Sequence, residues 1–374
     1  MKWVFWLAAG LIVYTYVGYA CWLRLRLLWR FRPVLRGSST PLVSIVMVVR
    51  NEEQILETKL QNLLGLDYPV DRCQIVVVSD GSTDRTEEIL RAYGRESRMH
   101  IVLNQLGQGK ASGLNDAIEL AQGEIVVFTD ARQTIEPDAV RLLAENFADP
   151  DVGCASGELM LGDATGNESS QGLGLYWRTE KQVRKLEAAS GSVVGATGAL
   201  YAVRRELLTR VPPETILDDV YLPMQVVRQG KRVVLDERAR AWDNPNLGTA
   251  REFSRKVRTL NGNYQLLQLA PWLLSSSNPI RFEFVSHKLL RLVVPFALAA
   301  LLAASFGLRG PFYRAMLILQ LMFYSLSVLA LSGLVKGGVL ARFADAAGTF
   351  VLLNGAAIVA LANILAGRRA AWTR

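Results

Sequence analysis

The stretch GEIVVFTDARQTIEPD, residues 123–138, contains the pattern on which the fold of this chain depends. An uninterrupted apolar run from Ile125 to Phe128 is followed by Thr129 and the acidic Asp130. Such short apolar runs, rich in β-branched residues, are typical of strands buried on both faces of a parallel sheet. In open sheets of this kind, ligands bind beyond the carboxyl ends of the strands. The stretch therefore predicts a buried strand that presents Asp130 to a ligand.

Similar strand patterns alternate with helical patterns on either side of this stretch. The predicted strands are Leu42–Val49, Gln74–Ser79, His100–Leu103, Glu124–Thr129, Val152–Leu161 and Arg232–Leu235. The predicted helices are Glu52–Leu64, Thr86–Tyr93, Ala111–Ala121, Leu175–Ala188 and Arg251–Leu269. Strands that alternate with helices at this spacing indicate βαβ units. We therefore predict an α/β domain with a mostly parallel sheet.

Four apolar segments outside this region indicate transmembrane helices. The first, residues 3–23, carries no charge and reaches the roughly 20 residues that cross a bilayer. It is too long and too aromatic at both ends for a signal peptide, and no small-residue cleavage site follows it. The other three segments follow the α/β region and are Leu289–Leu308, Phe312–Val335 and Phe343–Ala366.

Basic residues predict how these helices are oriented. Five arginines follow the first segment within residues 24–36, whereas only Lys2 precedes it. Because basic flanks favour the cytoplasmic side, the middle of the chain is predicted to lie in the cytoplasm, at a bacterial-type inner (plasma) membrane. The net charge of +8 owes much to these arginines and indicates contact with anionic membrane lipid. No motif that reads nucleic acid is present, so nucleic acid is not expected as a partner.

Cysteine and histidine are too few for several kinds of site. Cys21, Cys73 and Cys154 lack metal-ligand spacing and cannot all pair, which suits a reducing compartment. The sequence contains two histidines, His100 and His287, and this argues against a histidine-based zinc site.

Polar or acidic residues follow four consecutive predicted strands, in the segments VVRNEEQ, VVSDGSTDRT, NQLGQGKASGLNDA and FTDAR. Each segment alone has an ordinary explanation. Asp80 lies in a DGS turn whose Ser82 or Thr83 could cap the next helix. Lys110 could be a solvated residue, although it stands at a helix start, where anions are favoured. The glycines of GQGKASG miss the spacing of dinucleotide and P-loop motifs. Four such strand ends together still predict a ligand site, because turn chemistry alone does not explain all of them.

Six ordered segments resemble the membrane-bound family-2 glycosyltransferases, such as cellulose, hyaluronan and poly-N-acetylglucosamine synthases. The segments are VSIVMVVRNEE, VVVSDGSTDRT, GKASGLNDAI, VVFTDAR, GATGALYAVRREL and ILDDVYL. The resemblance covers about residues 41–260. It implies a GT-A fold, that is, a Rossmann-like cytoplasmic domain with a mostly parallel sheet, joined here to α-helical transmembrane segments.

The resemblance also assigns residues to the nucleotide-sugar donor. Asp80 matches the carboxylate that contacts the base, and Asp130 matches the first acidic residue of the Asp-x-Asp metal motif. Gly198 and Ala199 match positions where the donor sugar and the acceptor meet. The other matches line the nucleotide pocket or lie close to it, and they are Asn51, Glu53, Lys110 and Asn115.

Asp218 and Asp219 match a Glu-Asp pair in the family, of which the second residue is the catalytic base. Inverting transfer needs a group that takes the proton of the acceptor hydroxyl during in-line attack on the anomeric carbon. One of two adjacent carboxylates, raised in pKa by its neighbour, is suited to this task. Without the resemblance, the two residues would be explained as an acidic helix N-terminus.

Arg132 departs from the family pattern, because the third position of Asp-x-Asp commonly ligates the metal and a guanidinium cannot. Three interpretations are open. Asp130 holds Mg²⁺ or Mn²⁺ together with water and diphosphate oxygens, Arg132 itself pairs with the diphosphate, or the site has lost its activity. We favour the first, since Mg²⁺ often uses one or two carboxylates plus phosphates.

A second departure lies in the Gln-x-x-Arg-Trp motif that processive family members carry on an interfacial helix. Arg258 matches the arginine, which would meet the diphosphate leaving group. Arg255 and Thr259 replace the glutamine and the tryptophan. Loss of the tryptophan removes a stacking surface for the growing sugar, so both processive and single transfer stay open.

We therefore predict a membrane-bound inverting glycosyltransferase of the hexosyltransferase type. Its donor would be a nucleotide-diphosphate sugar, in particular a UDP-sugar, and its acceptor a saccharide or lipid-linked molecule in cell-surface or exopolysaccharide synthesis. The predicted parts are an N-terminal transmembrane helix (1–23), a basic linker (24–40), the catalytic domain (41–250), an amphipathic interfacial region (251–280) and three transmembrane helices (281–374). Two alternatives remain, a polyprenyl-phosphate glycosyltransferase and a non-catalytic membrane subunit that works with partner subunits of a polysaccharide-synthesis complex.

Overall fold

A sheet of eight strands forms the centre of the computed structural model, which describes residues 1–162, 174–243, 249–335 and 337–368. The strands are β1 (Val43–Val49), β2 (Cys73–Asp80), β3 (Met99–Asn104), β4 (Ile125–Thr129), β5 (Thr134–Ile135), β6 (Val152–Leu161), β7 (Leu200–Arg204) and β8 (Arg232–Asp243). Their spatial order is β3-β2-β1-β4-β7-β6-β8-β5.

Most neighbouring strands run parallel. β1 pairs in parallel with β2 and β4, and β2 pairs in parallel with β3. β7 enters between β4 and β6 in the opposite direction, and β6 and β8 are again parallel. The carboxyl ends of β1 to β4 therefore lie along one edge, as the predicted α/β sheet requires.

The helices of this region are α1 (Leu56–Leu64), α2 (Thr86–Ala92), α3 (Lys110–Leu120), α4 (Ala139–Glu145), α5 (Gly174–Ser190), α6 (Asp218–Arg228) and α7 (Thr249–Leu269). Short 3₁₀ turns lie at Val70–Arg72, Asn146–Ala148, Arg205–Leu207 and Pro271–Leu274.

Alternate residues of the central strands supply two hydrophobic cores, one on each face of the sheet. Ile45 and Met47 of β1 pack in one core together with Leu60 of α1. Val46 and Val48 pack in the other core, which contains residues of α3 and α6. Burial on both faces explains why these strands are apolar at nearly every position.

Among the described residues, four helices are long and apolar enough to cross a membrane. We name them span 1 (Lys2–Arg26), span 2 (Arg281–Gly307), span 3 (Pro311–Leu331) and span 4 (Gly338–Leu365). Large exposed apolar side chains, such as Trp3, Leu7, Ile318 and Met322, lie on spans 1 and 3. A surface of this kind is stable against lipid rather than water.

Spans 1 and 2 each contain a π-helical turn, at Tyr14–Gly18 and Val285–Leu289. The hydroxyls of Tyr14 and Ser286 form a hydrogen bond of 2.9 Å, which joins the two turns. Span 4 contacts span 2, span 3 and the amphipathic helix α7. The sheet domain and the spans are therefore connected through α7 and span 4.

Candidate active site

A cavity of about 700 Å³ extends from the carboxyl end of β4 to spans 1, 2 and 4. The residues of its polar end include many that the sequence singled out, namely Lys110, Asp130, Arg132, Gly198, Ala199, Asp218, Asp219 and Arg258. Its other end is lined by residues of the spans, among them Thr15, Tyr16, Lys288, Phe350, Leu353 and Asn354. One continuous space therefore joins the candidate catalytic residues to the membrane helices.

Lys110 connects two of the predicted carboxylates. Its Nζ donates a hydrogen bond of 3.0 Å to Asp130 Oδ1 and lies 3.2 Å from Asp218 Oδ1. Burial lowers the pKa of Lys110, but the charges of Asp130 and Asp218 outweigh burial and raise the pKa above its usual value. For Asp130, burial raises the pKa, and the charge of Lys110 lowers it below the usual range. Both groups are therefore charged at neutral pH.

Asp219 lies in the first turn of α6 and lines the cavity. No donor from the described residues is hydrogen-bonded to its carboxylate. Burial raises the pKa of Asp219 to about 6, with a further rise from Asp218, while Lys110 and Lys288 act in the opposite direction. A Cβ added to Gly198 would lie 3.1 Å from Asp219 Oδ2, so the glycine keeps space open beside the carboxylate. A carboxylate with this pKa is suited to accept a proton near neutral pH.

The environment of Asp80 is different, because its carboxylate is fully buried and both of its oxygens already accept hydrogen bonds. The backbone N–H groups of Gln108 and Gly109 donate to its two oxygens at 2.7 and 2.9 Å. Asp80 does not line the cavity. In this structure its contacts fix the loop that precedes α3.

Asn51 and Glu53 also hold neighbouring loops. Asn51 adopts a φ of 54° and accepts a hydrogen bond of 2.8 Å from the backbone N–H of Thr83. Glu53 accepts a hydrogen bond of 3.0 Å from the backbone N–H of Arg85. The two side chains therefore tie the end of β1 to the turn that follows β2, outside the cavity.

Asn115 makes a similar structural contact. Its side-chain amide exchanges two hydrogen bonds with the backbone of Val211, at 2.9 and 2.8 Å. Ala199, in contrast, lines the cavity, and its carbonyl accepts a hydrogen bond of 2.9 Å from Thr129 Oγ1.

Arg132 is paired with Asp243, a residue that the sequence analysis did not identify. The Nη2 of Arg132 donates to Asp243 Oδ2 at 2.5 Å, and Arg255 Nη1 lies 3.8 Å from the same oxygen. Asp243 is the last residue of β8. The second half of that strand is polar, so the sequence pattern did not indicate that Asp243 ends a strand. Arg258 is exposed at the cavity wall on α7.

A second unpredicted residue, Lys59, lies beneath Asp130 in the core. Its Nζ donates to Thr129 Oγ1 at 3.0 Å and to the carbonyl of Gln133 at 2.6 Å. Burial lowers the pKa of Lys59 to about 7, although the charge of Asp130 opposes this change.

The donor atoms present fit a divalent cation only in part. The described residues contain no group of three or more His, Cys, Asp or Glu that could hold a metal ion. Asp130 provides one carboxylate, and Lys110 already contacts one of its oxygens. Mg²⁺ can be bound by one carboxylate when phosphate and water supply the remaining ligands. The site therefore fits such an ion together with a diphosphate.

The comparison with protein families identifies the domain that carries these residues. The model of the family "Glycosyl transferase family 2" matches residues 44–211. These residues form a glycosyl transferase family 2 domain. The match includes β1 to β7, but it ends before Asp218 and Asp219.

Curated proteins similar to this chain include a synthase of a glycolipid and a synthase of a polysaccharide. The beta-monoglucosyldiacylglycerol synthase of Synechocystis is 28% identical over 204 residues, which cover 52% of this chain and 43% of the relative. The poly-beta-1,6-N-acetyl-D-glucosamine synthase of Staphylococcus aureus is 23% identical over 234 residues, which cover 60% of this chain and 55% of the relative. The chain thus spans about half the length of the curated relatives it matches.

A solved structure shares the fold over nearly the whole of this chain. It is a mannosyltransferase from Pyrobaculum calidifontis in complex with GDP-Man and Mn²⁺. The TM-score is 0.73 at 23% identity, and the match covers 97% of this chain and 99% of the other. The predicted GT-A-like fold is therefore confirmed.

Proposed function

We propose that this glycosyltransferase moves a sugar, with inversion, from a nucleotide-diphosphate sugar to a hydroxyl group of a membrane-associated acceptor. The observation that carries the proposal is the carboxylate of Asp219. It has a pKa of about 6, stands beside the space left by Gly198, and lines a cavity that continues between the spans.

The transfer is a single displacement in which the acceptor oxygen bonds to the anomeric carbon while the bond to the diphosphate oxygen breaks. Asp219 takes the proton that the acceptor hydroxyl loses. With a pKa of about 6, most of the Asp219 population is ionised at pH 7 and able to act as this base.

Positive charge near Asp130 stabilises the leaving diphosphate. Lys110 and Arg258 both line the cavity, and such charges are effective where negative charge develops in the transition state. A Mg²⁺ or Mn²⁺ ion held by Asp130 would neutralise the same diphosphate as a Lewis acid. The Mn²⁺ in the structurally similar mannosyltransferase supports the use of a divalent cation.

The proposed donor is a UDP-sugar, and the proposed site of action is the cytoplasmic face of the inner (plasma) membrane. The five arginines within residues 24–36 support this orientation. A role in cell-surface or exopolysaccharide synthesis is supported by the polysaccharide synthase among the relatives.

The test is the release of nucleotide diphosphate by the full-length protein purified in detergent. UDP-, GDP- and dTDP-sugars are supplied with Mg²⁺, with Mn²⁺ or with EDTA. We expect one donor to be turned over in the presence of metal, and turnover that persists in EDTA would assign the role of the cation to the protein's own lysine and arginine side chains.

Asp219→Asn separates the proposed base from the rest of the site. We expect it to lower transfer to a hydroxyl acceptor about 10³-fold while donor binding persists, because general base catalysis typically supplies about 10² to 10⁴. Asp151→Asn is the matched control, since Asp151 is an exposed aspartate paired with Arg32. Full transfer by Asp219→Asn would exclude this residue as the base. A folded sample that binds none of the donors would instead support a non-catalytic subunit.

A further inference from the structure

The side chain of Lys288 adds a positive charge to the lining of the cavity. No carboxylate among the described residues lies within hydrogen-bond or ion-pair distance of this charge. The neighbouring charged groups are paired. Arg291 Nη1 donates to Glu180 Oε2 at 2.5 Å. His287 lies between Glu180 and Glu187, with 2.9 Å to a carboxylate oxygen of each. Lys288 lines the same cavity as these residues but differs from them, because no ion pair joins it to a described carboxylate.

The π-helical turn of span 2 positions this lysine. Val285–Leu289 carries one residue more per turn than an α-helix, and such turns are frequent at functional sites. The π-helical turn of span 1 lies opposite and is joined to it by the Tyr14–Ser286 hydrogen bond. Residues of both turns line the cavity. The local geometry therefore directs polar groups inward from two helices that are otherwise apolar.

Beyond Lys288 the cavity wall becomes mostly apolar. Span 4 contributes Phe350, Leu353 and Ala357, which lie one helical turn apart or closer. Thr349 and Asn354 are the polar exceptions on this span, and the Oδ1 of Asn354 is buried without a hydrogen-bond partner among the described residues. A ligand that fits this wall has a long apolar part and a polar group near its reactive end.

Lys288 is also electrostatically connected to the reaction centre. Its charge lowers the pKa of Asp219, so the two groups lie in one field within the same cavity. An anion bound at Lys288 would therefore lie in the same cavity as the proposed base. An ammonium group without a partner is unfavourable at membrane depth, and a ligand phosphate would compensate it.

We propose that Lys288 binds the phosphate of a lipid acceptor, whose apolar chain lies along span 4 and whose headgroup hydroxyl reaches Asp219. The proposal rests on the proposed transfer function and specifies its acceptor. The shared chemistry is a phosphate next to a lipid chain. It can come from an isoprenoid phosphate that carries a sugar, whose hydroxyl is then the acceptor, or from a glycerophospholipid with a hydroxyl in its headgroup, and the experiment distinguishes the two types of phosphate and chain.

The test measures lipid binding by the full-length protein in detergent, with native mass spectrometry as the readout. The probes are farnesyl phosphate, lysophosphatidylglycerol and the uncharged farnesol. We expect at least one phosphate probe to bind about tenfold or more tightly than farnesol, the effect of one charge-assisted contact. The preferred probe identifies the source of the phosphate.

Two variants assign the preference to Lys288. Lys288→Gln should reduce the ratio of the affinity for the phosphate probe to the affinity for farnesol to about one or two. Lys288→Arg keeps the charge and should retain the preference for the phosphate probe. Arg314→Gln is the control, because it removes an exposed positive charge from span 3, outside the cavity. Equal binding of farnesol and both phosphates by the wild type, or an unchanged ratio in Lys288→Gln, would overturn the proposal.

Nucleotide diphosphate release measured on the same wild-type sample separates this proposal from the transfer function. Turnover of a donor without phosphate preference would overturn the acceptor site and leave the transferase. Phosphate preference without turnover of any donor would overturn the transferase and, with it, the role of Lys288 as an acceptor residue.

Discussion

Two aspartates that the sequence assigned to the site, Asp80 and Asp219, have opposite environments. Beyond β2, Asp80 is fully buried, and two backbone N–H groups occupy its oxygens. At the start of α6, Asp219 receives no hydrogen bond from the described residues and has a pKa raised to about 6. A carboxylate that accepts strong hydrogen bonds is fixed in place, whereas one without donors is free to take a proton. The surrounding loops, rather than the residue type, thus separate an aspartate whose oxygens are occupied from one whose oxygens have no described donor.

The same difference extends to the residues around each aspartate. The side chains of Asn51 and Glu53 accept hydrogen bonds from the loop after β2 and lie outside the cavity. Lys110 and Asp130 line the cavity, and their charged groups are joined by a hydrogen bond. We therefore expect substitutions in the first group to change mainly stability, and substitutions in the second group to change mainly the reaction.

After Asp219→Asn, the largest effect is expected from Gly198→Ala. The new methyl group would lie 3.1 Å from Asp219 Oδ2 and occupy space where the reacting groups meet. We expect kcat to fall about 100-fold, because a displacement of about 1 Å in the reacting geometry has an effect of this size. Steady-state kinetics of the transfer measure it, and the melting temperature should change little.

Gly191→Ala provides the control for this substitution. A Cβ at Gly191 would have no atom within 4 Å, so the methyl group is added without crowding. A Gly198→Ala enzyme with activity as high as Gly191→Ala would show that the space beside Asp219 is not the place of transfer.

A smaller effect, on stability, is expected from Asp80→Ala. The substitution removes the acceptor of the Gln108 and Gly109 N–H groups, and we expect a loss of about 1 to 2 kcal/mol in the free energy of unfolding. Denaturant titration in detergent measures the loss. Asp219→Ala should be close to wild type in the same assay, because no described donor loses its partner. If both variants were equally stable, the proposed contrast between the two aspartates would be wrong.

The smallest effect is expected in the pH dependence of the transfer. As a base, Asp219 must be ionised, so kcat/KM should rise with pH through a midpoint of about 6 and fall roughly tenfold per pH unit below it. Asp218→Asn removes a negative charge that raises the pKa of Asp219, and the midpoint should therefore move to lower pH. Initial rates between pH 4.5 and 8 provide the measurement, and a midpoint that moves upward would contradict the assignment.

Most of the strands that the sequence predicted are buried on both faces, whereas the predicted β3 lies at an edge of the sheet and is only partly buried. β1 and β2 are apolar at nearly every position because both cores need their side chains. β7 was not predicted, since its five residues become a strand only through pairing with β4 and β6. β8 is longer than the predicted Arg232–Leu235, because its continuation to Asp243 is polar and follows an irregularity in the pairing with β6.

The residues of the site that could be predicted from the sequence are those that directly follow a strand or begin a helix. Lys110, Asp130 and Asp218 come together because the sheet aligns these positions at one edge. The partner of Arg132 was not predictable, since Asp243 lies 111 residues away at the end of the poorly patterned β8. Lys288 was also missed, because its position depends on a π-helical turn and on the packing of three spans.

The two π-helical turns have a consequence for how spans 1 and 2 tolerate changes in length. One residue corresponds to a rotation of about 100° in an α-helix. A π-helical turn accommodates about one extra residue, so deleting one residue within Val285–Leu289 would restore α-helical geometry and leave the remainder of span 2 in nearly its present orientation. The same deletion in the α-helical part of span 2 would rotate the following residues by about 100° and turn the cavity side chains away from the cavity. We therefore expect span 2 to tolerate a single deletion at this turn better than one elsewhere along its length.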